Sequence, residues 1–67
     1  MAVARETKIT AASPDSFDAA VREGLTRANQ TLRGITGIHI VEMKAKIENG
    51  EIAEYRVTME VTFILED

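Results

Sequence analysis

The sequence predicts an α+β domain of order strand, helix, strand, strand, with a three-stranded antiparallel sheet carrying one helix. Two changes of rhythm predict it. From Phe17 to Ile35 apolar residues recur at steps of three and four, and from His39 onward the step becomes two, broken only at Asn49-Gly50. The 67 residues contain no internal repeat, linker or low-complexity stretch, so residues 1–67 read as a single domain.

The first element, Val3 to Thr10, alternates as a strand does. Ser13-Pro14-Asp15 then reads as a helix start, with Ser13 as N-cap, Pro14 at the first helical position, and Asp15 and Asp18 near the positive end of the helix dipole. Phe17, Val21, Leu25, Ala28, Leu32 and Ile35 fall on one helical face, and Gly34 is placed to end the helix. In the next strand His39, Val41, Met43, Ala45 and Ile47 point one way, opposite Glu42, Lys44, Lys46 and Glu48. The last strand sets Ala53, Tyr55, Val57, Met59, Val61, Phe63 and Leu65 against Glu54, Arg56, Thr58, Glu60 and Thr62.

Parity constrains the turn. A two-residue loop at Asn49-Gly50 would pair odd positions with even ones and put the two apolar rows on opposite faces, so parity rejects it. A three-residue loop Glu48-Asn49-Gly50 pairs Ile47 with Glu51 and keeps them together. In that register Glu42 faces Arg56 and Lys44 faces Glu54, whereas pairing Lys44 with Arg56 would set like charges opposite.

Composition narrows the function. A chain this small is marginal alone, and without cysteine it has no disulfide framework, thiol nucleophile or Cys-type zinc site, which leaves oligomerisation as support. A strand of fifteen residues extends roughly 50 Å, whereas a twenty-residue helix covers about 30 Å, so apolar sheet is left for other copies of the chain to cover. The net charge of −3, scattered basic residues and three aromatics argue against nucleic acid as partner. No run approaches the ~20 apolar residues that span a bilayer, and the start Met1-Ala2-Val3-Ala4-Arg5-Glu6 has no signal-peptide layout, so the expected setting is soluble and cytoplasmic, away from membranes.

The opening Ala11-Ala12-Ser13-Pro14-Asp15-Ser16-Phe17, the helix end Arg27-Ala28-Asn29-Gln30-Thr31-Leu32-Arg33-Gly34, Ile40-Val41-Glu42, Ile47-Glu48-Asn49-Gly50, Tyr55-Arg56-Val57-Thr58 and Phe63-Ile64-Leu65-Glu66 together resemble the dodecin family over nearly the whole chain. That resemblance implies a βαββ fold whose three-stranded antiparallel sheet is wrapped around one helix, assembled as a hollow homododecamer. It implies a non-enzymatic small-ligand binding and storage protein, whose family ligand is a flavin, riboflavin or FMN, stacked on a tryptophan at subunit contacts.

Carried onto this chain, the family's stacking tryptophan falls on Gly37, its flavin-edge glutamine on Arg56, and the arginine seven residues after the tryptophan on Lys44, while Ile64 replaces the arginine of the usual ending. Gly37, Lys44 and Arg56 are thus the implied ligand positions, with flavin binding weakened or altered. Arg56 donates but cannot accept from a ring N–H, as glutamine does. Neither His39 nor Tyr55 stands at the tryptophan's position. The resemblance also implies an alternative, since some Trp-less members are calcium-associated: a structural or ion-binding shell without flavin.

The remaining candidates read blandly. His39, in the odd row, is expected to be a structural or interface histidine; it has no second His or Cys to complete a transition-metal site. Ser13 is explained as a cap rather than a nucleophile, and Met43 and Met59 as core filler. The charged row Glu42, Lys44, Glu54, Arg56 and Glu60 is either a solvated face or a polar pocket wall. Calcium coordination needs several converging oxygens, and the acidic end Glu66-Asp67 is no EF-hand loop. With no nucleophile–base pair or phosphate-cradling glycine loop, the sequence predicts no enzyme.

Overall fold

Four elements follow one another in the computed structural model, which describes residues 3–65: β1 (Ala4–Ser13), α1 (Phe17–Thr31), β2 (Ile35–Glu48) and β3 (Glu51–Ile64). The strands form one antiparallel sheet in the order β1-β3-β2, and the helix lies against β1 and β3. The predicted α+β class and element order are those observed. The start Met1-Ala2 and the acidic end Glu66-Asp67 lie outside the described residues.

The helix begins later than its sequence suggests. A residue before proline is pushed toward extended backbone, so Ser13 completes β1, and its hydroxyl accepts from the Asp15 N–H at 3.0 Å to turn the chain. The N-cap is Ser16: its backbone is extended (φ −170°, ψ 167°) and its Oγ accepts from the Ala19 N–H at 2.9 Å. The helix ends at Thr31, with Leu32 as the C-cap. Gly34, in the left-handed region at φ 71°, turns the chain into β2, and its carbonyl accepts from the Ile64 N–H.

The buried helical face is narrower and smaller than the sequence pattern implies. Ala20, Gly24 and Ala28 are its buried residues, with Phe17, Val21 and Leu32 half-buried beside them. A Cβ at Gly24 would stand 2.9 Å from Met59 Cε and 3.0 Å from Ala11 Cβ, so the absent side chain lets the helix sit close on the sheet. Ile35, read as the end of this face, is instead the first residue of β2, which starts four residues before His39.

The hairpin corrects the sequence reading most. Asn49 (φ 52°) and Gly50 (φ 78°) are both left-handed, as in a two-residue type I′ turn, whose twist matches that of the strands it joins. Glu48 pairs with Glu51 and Ile47 with Ile52; then Lys46 pairs with Glu54, leaving Ala53 as an extra residue on β3. That bulge removes the parity objection, because one inserted residue flips every side chain beyond it. The resulting register sets Lys44 opposite Arg56 and Glu42 opposite Thr58, the like-charge pairing that the sequence argument disfavours.

A second bulge lies within β2. Ile40 pairs with Met59, but Glu42 pairs with Thr58, so Val41 is the extra residue. Ile38 and Ile40 therefore share the helix-facing side with Met43 and Ala45, opposite Val61, Met59, Val57 and Tyr55. His39 moves from the expected apolar row to the polar face, opposite Glu60.

Val57, Met59 and Val61, on the central strand, are fully buried and form the core with Ala20 and Ala28. Met59 is the core filler expected of it; Met43, 52% exposed, is not in the core of this chain. The domain is 51 Å long, whereas the 15-residue helix spans about 22 Å. Ile38, Ile40, Met43, Ile47 and Ile52 are all exposed. The expectation that one helix cannot cover the sheet holds, and the uncovered part is the apolar row of β2 with the end of the hairpin.

Candidate ligand-binding face

The sheet side turned away from the helix is polar. From β2 it carries Gly37, His39, Glu42, Lys44 and Lys46; from β3, Thr62, Glu60, Thr58, Arg56 and Glu54; from β1, Glu6, Lys8 and Thr10. Antiparallel partners share a face, so the register alone places them together. All three implied ligand positions, Gly37, Lys44 and Arg56, lie on this side.

They do not form one cluster within a chain. Lys44 stands directly opposite Arg56, but Gly37 stands opposite Thr62. Thr62 is six residue steps along β3 from Arg56, about 20 Å at the rise of an extended strand.

The charges at the Arg56 end pair along the strands rather than across them. Arg56 Nε donates to Glu54 Oε2 at 2.7 Å, and Lys44 Nζ lies 3.3 Å from Glu42 Oε1. The predicted cross-strand pairs Glu42–Arg56 and Lys44–Glu54 are replaced by these two. Each cation keeps its own carboxylate, which offsets the repulsion between Lys44 and Arg56. Both pairs are solvent-exposed and contribute at most about 1 kcal/mol each. The row is thus a solvated face in the single chain, with its guanidinium and ammonium groups available to an acceptor on a ligand.

At the other end the face is open above Gly37. A Cβ built at Gly37 meets nothing within 4 Å. The Gly37 backbone also borders a shallow cavity of about 310 Å³ between Leu25 and Asn29 of the helix and Ile35 to Ile38 of β2. A larger groove of about 520 Å³ runs between β1 and the helix, lined by Ile9, Ala11, Glu23, Arg27 and Ala28 among others, away from the three positions.

Sequence reasoning missed His39 as a member of this face. Its Nδ1 lies 3.1 Å from Glu60 Oε1. The available signal was Ile40-Val41, two apolar residues in succession where the alternating row changes from even to odd positions. Among the described residues no group of three or more His, Asp or Glu converges to hold a metal ion. No helix of the described residues is long and apolar enough to cross a membrane.

A family model described as Dodecin matches residues 3–66. A dodecin from Thermus thermophilus is 31% identical over 65 residues, which are 97% of this chain and 94% of that protein. The solved dodecin of Streptomyces davaonensis is 38% identical with a TM-score of 0.94, covering 98% of this chain and 97% of that one. A calcium dodecin from Mycobacterium tuberculosis, described as a calcium-chelating immunodominant antigen with a novel calcium-binding site, is 28% identical with a TM-score of 0.83, covering 96% of this chain and 91% of that one.

Proposed function

This chain belongs to the dodecin family, and on that premise we propose that it is a non-enzymatic binding and storage protein for a flavin-type ligand, riboflavin or FMN, held weakly between subunits of a hollow homododecamer in the cytoplasm. Dodecin assemblies are oligomeric. The observation that carries the reading is the placement of Gly37, Lys44 and Arg56 on one open face, too far apart to serve one small ligand within a single chain. Subunit contacts bring such ends together, and the uncovered apolar row of β2 gives the copies a reason to associate. Glycine at position 37 leaves the ligand without a tryptophan face, so affinity is low. Arg56 and Lys44 donate to ring carbonyls or to a phosphate. Neither nucleic acid nor a membrane is required.

The alternative is a calcium-type shell without flavin. The likeness to the M. tuberculosis calcium dodecin favours it, and carboxylates on this face, Glu42, Glu54 and Glu60, would have to converge from several copies. Titration of riboflavin into the protein, followed by quenching of flavin fluorescence, separates the two. Saturable quenching that calcium leaves unchanged is the expected result. Absence of quenching together with calorimetrically measured calcium uptake would replace the flavin reading with the calcium one.

A further inference from the structure

We propose that the imidazole of His39, held by Glu60, is the flat surface on which a planar aromatic ligand stacks at the Gly37 end of the polar face. The inference rests on the flavin-type reading above and names a residue for it. The chain has no tryptophan, and its other rings are turned elsewhere. Phe17 and Tyr55 pack edge to face at 4.9 Å near the start of the helix, and Phe63, like Tyr55, stands on the helix-facing side of β3. Among the described residues His39 is therefore the one ring-bearing side chain on the polar face. It is 74% exposed.

Its position results from the bulge at Val41, without which His39 would point toward the helix. The bulge thus carries a binding consequence: it places the ring two residues from Gly37, about 7 Å along the strand. Beside the imidazole the strand is open at Gly37, where a built Cβ meets nothing within 4 Å. A fused planar ring seated over Gly37 comes within reach of His39, two residues along the same face.

The ring is also oriented. An ionised carboxylate only accepts, so Nδ1–H donates to Glu60 Oε1 at 3.1 Å, and Nε2 is left at the free edge. Glu60 is a positioning residue in this scheme; it restricts rotation of the imidazole and touches no ligand itself.

The test is riboflavin titration, by fluorescence quenching, of the oligomeric protein and of His39→Ala, His39→Gln, His39→Phe and Glu60→Gln. Because His39 is exposed and at the surface of the sheet, each variant is first matched to wild type by thermal melting. Removal of the ring in His39→Ala and His39→Gln lowers affinity about tenfold, the upper range for one stacked ring. His39→Phe stays within about threefold of wild type, and Glu60→Gln loses less than His39→Ala. Unchanged affinity in His39→Ala, or loss in His39→Phe with retention in His39→Gln, overturns the stacking role while leaving the flavin reading intact. Absence of riboflavin binding by the wild type overturns both.

Discussion

Gly37→Trp is expected to bind riboflavin about ten- to a hundredfold more tightly than the wild type. The substitution meets no steric obstacle: a Cβ at this position has nothing within 4 Å, and the backbone is not in the left-handed region. Gly37 lies in a strand, where an aromatic residue is favoured over glycine, so the variant should melt at or above the wild-type temperature. Stacking a base on an aromatic side chain contributes about 1–3 kcal/mol by alanine substitution, roughly five- to 150-fold in affinity. An isoalloxazine is a comparable flat surface. Fluorescence quenching with riboflavin reads the gain, and an unchanged affinity would mean that the missing ring is not what weakens this site.

The second large effect concerns assembly. Met43→Asp should convert the oligomer to monomers or small species and lower the melting temperature. Met43 sits mid-row on β2 between Ile40 and Ile47, and at 52% exposure it contributes little to the core of the single chain. Covered by a neighbouring copy, an aspartate there would be an unpaired buried carboxylate, costing several kcal/mol in every subunit. The monomer has little with which to compensate, since its fully enclosed core comprises Ala20, Val57, Met59 and Val61. Sedimentation velocity measures the change, and Lys46→Gln on the polar face serves as the control that keeps its size. An oligomer of wild-type size in Met43→Asp would show that β2's apolar row is not the contact.

Much of this fold was legible because its two periods are long and clean. The helical step from Phe17 and the alternation along β3 place both elements, and the mismatch between helix length and sheet length follows from arithmetic on residue rise. What sequence did not reveal lies where single residues are inserted. Ala53 and Val41 each shift the register by one, and no propensity marks an alanine or valine as a bulge. The parity argument against the Asn49-Gly50 turn was valid for unbroken strands and failed on Ala53. The same kind of event at Val41 moved His39 across the sheet.

The helix start shows a different limit. Ser13-Pro14-Asp15 and Ser16-Phe17-Asp18 both carry capping chemistry, and the choice between them depended on whether β1 continued to Ser13, which its pairing with Tyr55 decides. The face that carries the implied ligand positions was partly legible. Gly37, Lys44 and Arg56, the positions that the resemblance implies, do share one face, but alignment along a chain says nothing of the distance between them.

The central claim, a flavin-type ligand held between the subunits of a twelve-membered shell, is tested most directly by native mass spectrometry of the protein with riboflavin. The account predicts a twelve-subunit species carrying additions of riboflavin mass. A monomer under the same conditions would contradict it.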